Sequence, residues 1–186
     1  MEETDEALMA AVARGDASAL RVLYDRHERM TFNLVLRLAG RREMAEELVQ
    51  EAFTRLWTTA RLFRGDRGGF KPWLFTIALN LTRSELSRKR YRVRHVEAEA
   101  AEALPAPAEG PELLAVRAQE AQRVEAALSR LSAPLREIVV LRIYQQLKFA
   151  EIAQLTGAPE GTLKARFHRA VAALRTELGA KGSACP

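Results

Sequence analysis

Apolar residues along this chain recur at intervals of three and four, and no stretch of four to eight residues alternates cleanly between apolar and polar. A period near 3.6 predicts helices, whereas strands need a period of two, so the expected fold is all-α. Asp16, following Gly15, suits an N-cap for a helix over "ASALRVLYDRHERMTFNLVLRLA". The next helix, "EMAEELVQEAFTRLWTTARLF", spaces Ala45, Leu48, Val49, Ala52, Phe53, Leu56, Trp57, Ala60 and Phe63 as one inward stripe. Its other face carries Glu46, Glu47, Gln50, Glu51 and Thr54. "RGDRGG" interrupts the pattern, and Pro72 fits the first turn of a further helix.

That helix, "PWLFTIALNLTRSELSRKRYRVRH", is apolar at one end and densely cationic at the other. Turned at about 100° per residue, Leu74, Ile77, Ala78 and Leu81 form the expected core stripe. Trp73, Thr76, Asn80, Arg83, Ser87 and Arg90 collect on the opposite side. A solvated face needs no indole. A ring, then hydrogen-bonding groups, then cations suits a nucleic-acid strand, whose bases stack on the ring while its phosphates meet arginine. The competing reading makes Trp73 one more core residue.

Regularity fails most plainly at "VEAEAAEALPAPAEGPE", where Ala, Pro and Glu leave nothing to build a core from. The expected organisation is a helical domain over residues 1–95, a linker over 96–112, a second domain over 113–180 and a tail over 181–186. In the second domain "FAEIAQLTGAPEGTLKARFHRAVAAL" has helix-turn-helix spacing. Ile152, Ala153 and Leu155 face inward, Gly157 supplies the positive φ of the turn, and Pro159 opens the second helix. There, Leu163, Phe167, Ala170, Val171, Leu174 and Leu178 make the inner stripe. Thr162, Ala165, His168 and Arg169 point away, flanked by Lys164 and Arg166. No acid occurs between Gly161 and Thr176, which fits a DNA major groove; helix-turn-helix units that bind no DNA also exist.

Charge sharpens this picture. The net charge of +5 averages over acid at Glu2, Glu3, Asp5, Glu6 and the linker, and base at 83–94 and 164–175. Two separated basic segments suggest a polyanion touched at two places, although each alone also reads as a solvated helix face. Chemistry is otherwise thin. His27, His95 and His168 have no ligand partners at metal-binding spacing, the one cysteine is Cys185, and no Gly-rich phosphate loop follows a strand. The expectation is a protein with no catalytic residues, no metal and no cofactor. An acidic N-terminus and the lack of an 18-residue apolar run point to a cytoplasmic protein without membrane insertion.

Together these segments resemble a bacterial RNA polymerase sigma factor of the sigma-70 family, in its extracytoplasmic-function (ECF) group. "AEELVQEAFTRLW" is similar to the family's polymerase-docking helix. "FRGDRGGFKPWLFTIALNLTRSELSRKR" is similar to its melting and −10-reading segment, and "LSAPLREIVVLRIYQQLKFAEIAQLTGAPEGTLKARFHRAVAALR" to its −35-reading unit. The resemblance implies that Glu46, Glu47, Gln50 and Glu51 meet a basic coiled coil on the largest subunit of core RNA polymerase, with the polymerase flap as a further contact. It implies that the "RGDRGGF" loop and Asn80 hold an extruded base of the non-template strand, with Phe70, Trp73, Thr76, Arg83, Ser87 and Arg90 on the same −10 surface. Thr162, Lys164, Ala165, Arg166, His168 and Arg169 then face the duplex −35 element. Lys164 and Ala165 stand where the family often has Arg and Ser. The linker is expected to thread toward the active-site channel, and an anti-sigma factor is an expected partner. The alternative is a helix-turn-helix regulator that acts without joining the polymerase.

Overall fold

A computed structural model describes residues 3–65, 69–92 and 111–179, with the side chains of 89–92 and 111–118 left aside. Among these residues there is no strand, only helices and short connections. The chain divides into two compact units, one holding the described residues up to 92 and the other most of those from 111 onward.

The first unit contains α1 (Asp5–Ala13), α2 (Ala17–Ala39), α3 (Arg42–Thr59) with a 3₁₀ turn at Ala60–Leu62, and α4 (Phe70–Arg92). Its helix ends follow side-chain chemistry. Thr4 caps α1 by accepting from the Ala7 amide at 3.2 Å. Asp16 caps α2 by accepting from the amides of Ser18 (2.8 Å) and Ala19 (3.2 Å). The Ser18 hydroxyl, then these amides, favour the ionised carboxylate and lower its pKa. At the far end of α2, Gly40 takes φ 72° and its amide reaches the Leu36 carbonyl at 2.7 Å, a left-handed cap that glycine adopts without strain.

Leu8, Met9, Leu23, Leu34, Val35, Val49, Phe53 and Leu56 fill the core, with the edge of Tyr24 against Phe53 at 4.8 Å between centroids. α4 packs against both α2 and α3. Two neighbours widen its buried arc beyond the expected stripe. Leu74 and Ala78 are buried as expected, but Phe75, Leu79 and Thr82 are buried too, while Ile77 and Leu81 are half-buried. Thr82 tolerates burial because its hydroxyl donates to the Ala78 carbonyl at 2.7 Å. Trp57, expected inside, is 36% exposed. It sits at the edge of the α3 stripe, where spacing alone does not separate core from rim.

The second unit comprises α5 (Pro111–Arg130), α6 (Ala133–Val139), α7 (Phe149–Thr156) and α8 (Glu160–Gly179). α5 opens two residues inside the expected linker, whose other residues, 96–110, lie outside those described, as does the tail with Cys185. α5 and α6 both pack against α8. Leu128, Ile138, Val139, Leu141, Ile152, Leu163 and Ala170 are buried. Arg136 ties α6 to the end of α5, donating to the carbonyls of Leu128 (3.0 Å), Ser129 and Leu131 (3.3 Å). α6 runs on into a π turn, Val140–Tyr144, that spacing did not anticipate. The chain leaves it through Gln146 at φ 56°, and the Arg142 guanidinium spans the bend to the Leu147 carbonyl at 3.1 Å. Between α7 and α8, Gly157 has φ 72° and its amide closes on the Ala153 carbonyl at 2.8 Å, as the helix-turn-helix spacing requires. Pro159 immediately precedes α8, its carbonyl accepting from Leu163 at 3.1 Å. Phe149 of α7 meets Phe167 of α8 edge-on at 5.8 Å.

Candidate nucleic-acid interface

The surface of α4 opposite its core arc is the strongest candidate site. At about 100° and 1.5 Å per residue, Trp73, Thr76, Asn80, Arg83 and Ser87 fall within an arc of about 80° along about 21 Å of helix. Asn80 and Ser87 are exposed, and Trp73, Thr76 and Arg83 half-buried. The Trp73 ring is braced edge-on by Phe63 at 5.3 Å, which fixes the indole plane while leaving part of it uncovered. Phe63 thus bridges the Trp73 ring and the Phe70 ring rather than closing the α3 stripe; nothing in its spacing signals that. The Thr76 hydroxyl donates to the Pro72 carbonyl at 2.8 Å, so toward a ligand its oxygen acts as an acceptor. Arg90 belongs to the same helix, but its side chain is outside those described.

Phe70 does not join this surface. Its ring is 2% exposed, 4.9 Å from the His27 ring and 6.4 Å from Phe63. The first residue of α4 points back toward α2, and an aromatic there is more stable inside than in water. The expected loop at 64–70 is described only at its ends; residues 66–68 are not.

Beneath the site lies a polar junction that sequence spacing did not reveal. His27 is buried, and its Nε2 pairs with an Asp5 carboxylate oxygen at 2.8 Å. Arg26 meets the other oxygen at 3.1 Å. Burial lowers the His27 pKa more than Asp5 raises it, so the imidazole is held toward its neutral form. Glu6, the next residue of α1, accepts from the Phe70 amide at 3.3 Å.

On α8, Lys164, Ala165, His168 and Arg169 are exposed and Thr162 and Arg166 half-buried. Thr162, Ala165, His168 and Arg169 share an arc of about 120° with Ala165 near its middle, so the helix backbone can come close to a groove floor. Lys164 lies 3.5 Å from Glu160 and 5.9 Å above the Phe149 ring. On α3, Glu46, Glu47, Gln50 and Glu51 are all exposed on one face. Glu46 pairs with Arg42 at 2.9 Å and Glu51 with Arg55 at 3.8 Å, exposed contacts that a partner's cations can replace at little expense. Among the described residues no group of His, Cys, Asp or Glu is arranged to hold a metal, and no helix is long and apolar enough to cross a membrane.

Comparison with known proteins bears on the family of the chain. Residues 23–92 match the Sigma-70 region 2 model, which covers the α4 site, and residues 121–174 match the Sigma-70 region 4 model, which covers most of α8. The chain is 32% identical over 172 residues to the ECF RNA polymerase sigma factor SigL of Mycobacterium tuberculosis, covering 92% of this chain and 96% of that one. It is 32% identical over 174 residues to the ECF RNA polymerase sigma-E factor of Escherichia coli, covering 90% of each. The fold resembles the sigma factor RpoE of Bartonella quintana, solved in complex with the anti-sigma factor NepR, with a TM-score of 0.73, 25% identity and coverage of 86% of this chain and 96% of that one. CnrH, solved with the cytosolic domain of CnrY, gives a TM-score of 0.70 at 27% identity, covering 96% of this chain and 99% of that one. Two helical units, matched in order to regions 2 and 4 and related over their joint length to named ECF proteins, identify this chain as a member of the sigma-70 family and a sigma factor of the ECF group.

Proposed function

We propose that this sigma factor directs core RNA polymerase to its promoters by dividing the labour among three helix faces. The exposed Glu46–Glu51 face of α3 docks on a basic coiled coil of the largest subunit. The ring-to-cation arc of α4 receives the non-template strand of the −10 element, and α8 enters the major groove of the −35 duplex. The observation that carries this reading is the α4 arc: a braced, partly uncovered indole stands in line with exposed Asn80 and Ser87, on the side away from the core.

The energetics fit a capture mechanism. Opening duplex DNA forfeits stacking worth about 1.4 kcal/mol per step. A base stacked on an aromatic ring recovers about 1–3 kcal/mol. A few such contacts offset the opening of a few base pairs, and polymerase contacts supply the remainder. Holding the two elements on one enzyme makes the second contact intramolecular, which raises its effective concentration. The chain supplies binding free energy rather than bond chemistry. We further infer that it acts in the cytoplasm and is held between uses by an anti-sigma protein, since the structurally similar RpoE was solved with one.

The decisive experiment adds the protein to bacterial core polymerase and maps the 5′ ends of transcripts made from genomic DNA. Discrete starts that require the protein are the expected result. Specific duplex binding without core, and no new starts with it, would instead describe a regulator of the helix-turn-helix type.

A further inference from the structure

The start of α4 has an unusual cap. Helix N-termini leave four amides without intrahelical partners, and a side chain at the preceding position commonly accepts from one of them. Here the preceding residue is Gly69 at φ 79°. A Cβ at Gly69 would meet only a Glu6 carboxylate oxygen at 3.5 Å, so the backbone conformation rather than crowding calls for glycine. Glycine fits the turn and has no cap to offer. The acceptor comes instead from 64 residues upstream: Glu6 Oε1 takes the Phe70 amide at 3.3 Å. Its negative charge also suits the positive end of the α4 dipole. The same side chain lies beside Gly65, whose added Cβ would stand 3.5 Å from Glu6 Cγ. Glu6 thus touches both described ends of the loop that leads into α4.

Glu6 is itself held. Its neighbour Asp5 grips buried His27 at 2.8 Å, and the His27 ring lies 4.9 Å from the ring of Phe70. From α1, one carboxylate fixes the α2 side chain on which Phe70 rests, and the next fixes the Phe70 amide.

We propose that Glu6 is a positioning residue for strand capture: by capping α4 from outside its own loop, it sets where the helix begins and so where the Trp73-to-Ser87 arc stands relative to the incoming strand. This rests on the reading of α4 as the −10 surface, and the test separates the two. Glu6→Ala, Glu6→Gln and Asn80→Ala are made in the full chain and assembled with core polymerase. Binding of each holoenzyme to a fluorescent non-template oligonucleotide, taken from a promoter mapped as above, is measured beside hydrogen exchange at the Phe70 amide. Glu6→Ala should lose Phe70 protection and weaken oligonucleotide binding about fivefold, the scale of one hydrogen bond, with core binding unchanged. Glu6→Gln keeps an acceptor and should restore both. Three results overturn the proposal: Phe70 protection unchanged in Glu6→Ala, protection lost with binding intact, or Glu6→Gln as impaired as Glu6→Ala. If Asn80→Ala weakens binding and Glu6→Ala does not, only the positioning role falls. If neither does, the strand-capture reading of α4 falls with it.

Discussion

Replacing Arg136 by alanine should destabilise the second unit selectively. The guanidinium, partly desolvated, donates to the carbonyls of Leu128, Ser129 and Leu131, which lie where α5 ends and runs out of intrahelical donors. Burial lowers its pKa, yet an arginine starts so high that it stays charged and serves the negative end of α5 as well. Removing it strands up to three acceptors at about 1–3 kcal/mol each when fully dry. The site is only partly dry, so water recovers some of that, and about 3 kcal/mol in total is a fair expectation. A unit of this size has roughly 5 kcal/mol of stability to lose from. With a urea m-value of about 1 kcal/mol/M, the midpoint should fall by about 3 M. The chain offers an internal control, because both tryptophans, Trp57 and Trp73, lie in the first unit. Tryptophan emission should therefore report an unshifted transition, while the far-ultraviolet circular dichroism of the same samples splits into two. Arg136→Lys, with a point charge in place of a fork, should recover less than half of the loss. Superimposable dichroism curves for Arg136→Ala and the natural sequence would refute this account of the α5–α6 junction.

Other expectations concern the faces themselves. Trp73→Ala should leave polymerase binding near normal and slow open-complex formation, read by permanganate reactivity of unpaired thymines; normal reactivity would remove the stacking role. Arg169→Ala should weaken recruitment to −35-dependent promoters by about 1–3 kcal/mol if the guanidinium reads a base, whereas an equal loss on random duplexes would make it a phosphate contact. His27 gives the first unit an acid limit. Its folded pKa lies below the ordinary 6.5, so between the two values the unfolded chain holds the extra proton and stability falls as the pH drops below about 6.5. Tryptophan-monitored urea midpoints at pH 7.5 and 5.5 check this: the natural chain should lose more than a His27→Gln variant, and parallel losses would assign the effect to other groups.

Local chemistry made much of this architecture legible before any coordinates. Asp16 starts α2 at the residue where cap chemistry says a helix should start, and Gly157 turns where a left-handed residue is needed. The exposed arc of α4 follows from its period. What escaped depends on partners distant in sequence. The core arc of α4 spread to Phe75, Leu79 and Thr82 because more than one helix presses on it. Phe70 went inside because His27 and Phe63 wait there, and Trp57, at the edge of the α3 stripe, stayed 36% exposed. The π turn after α6 and the Arg136 staple have no periodic signature. Nor does Glu6, which reads in sequence as one more acid in an acidic N-terminal stretch.

If α4 is the −10 surface proposed above, its remote cap bears on how promoter preference could be transplanted between such proteins. A graft limited to the segment from Arg64 to Asn80 would import a helix whose opening residue is glycine-led and carry none of the acid that completes it. Donor and recipient would need to agree at position 6 as well, so the smallest exchangeable unit is discontinuous.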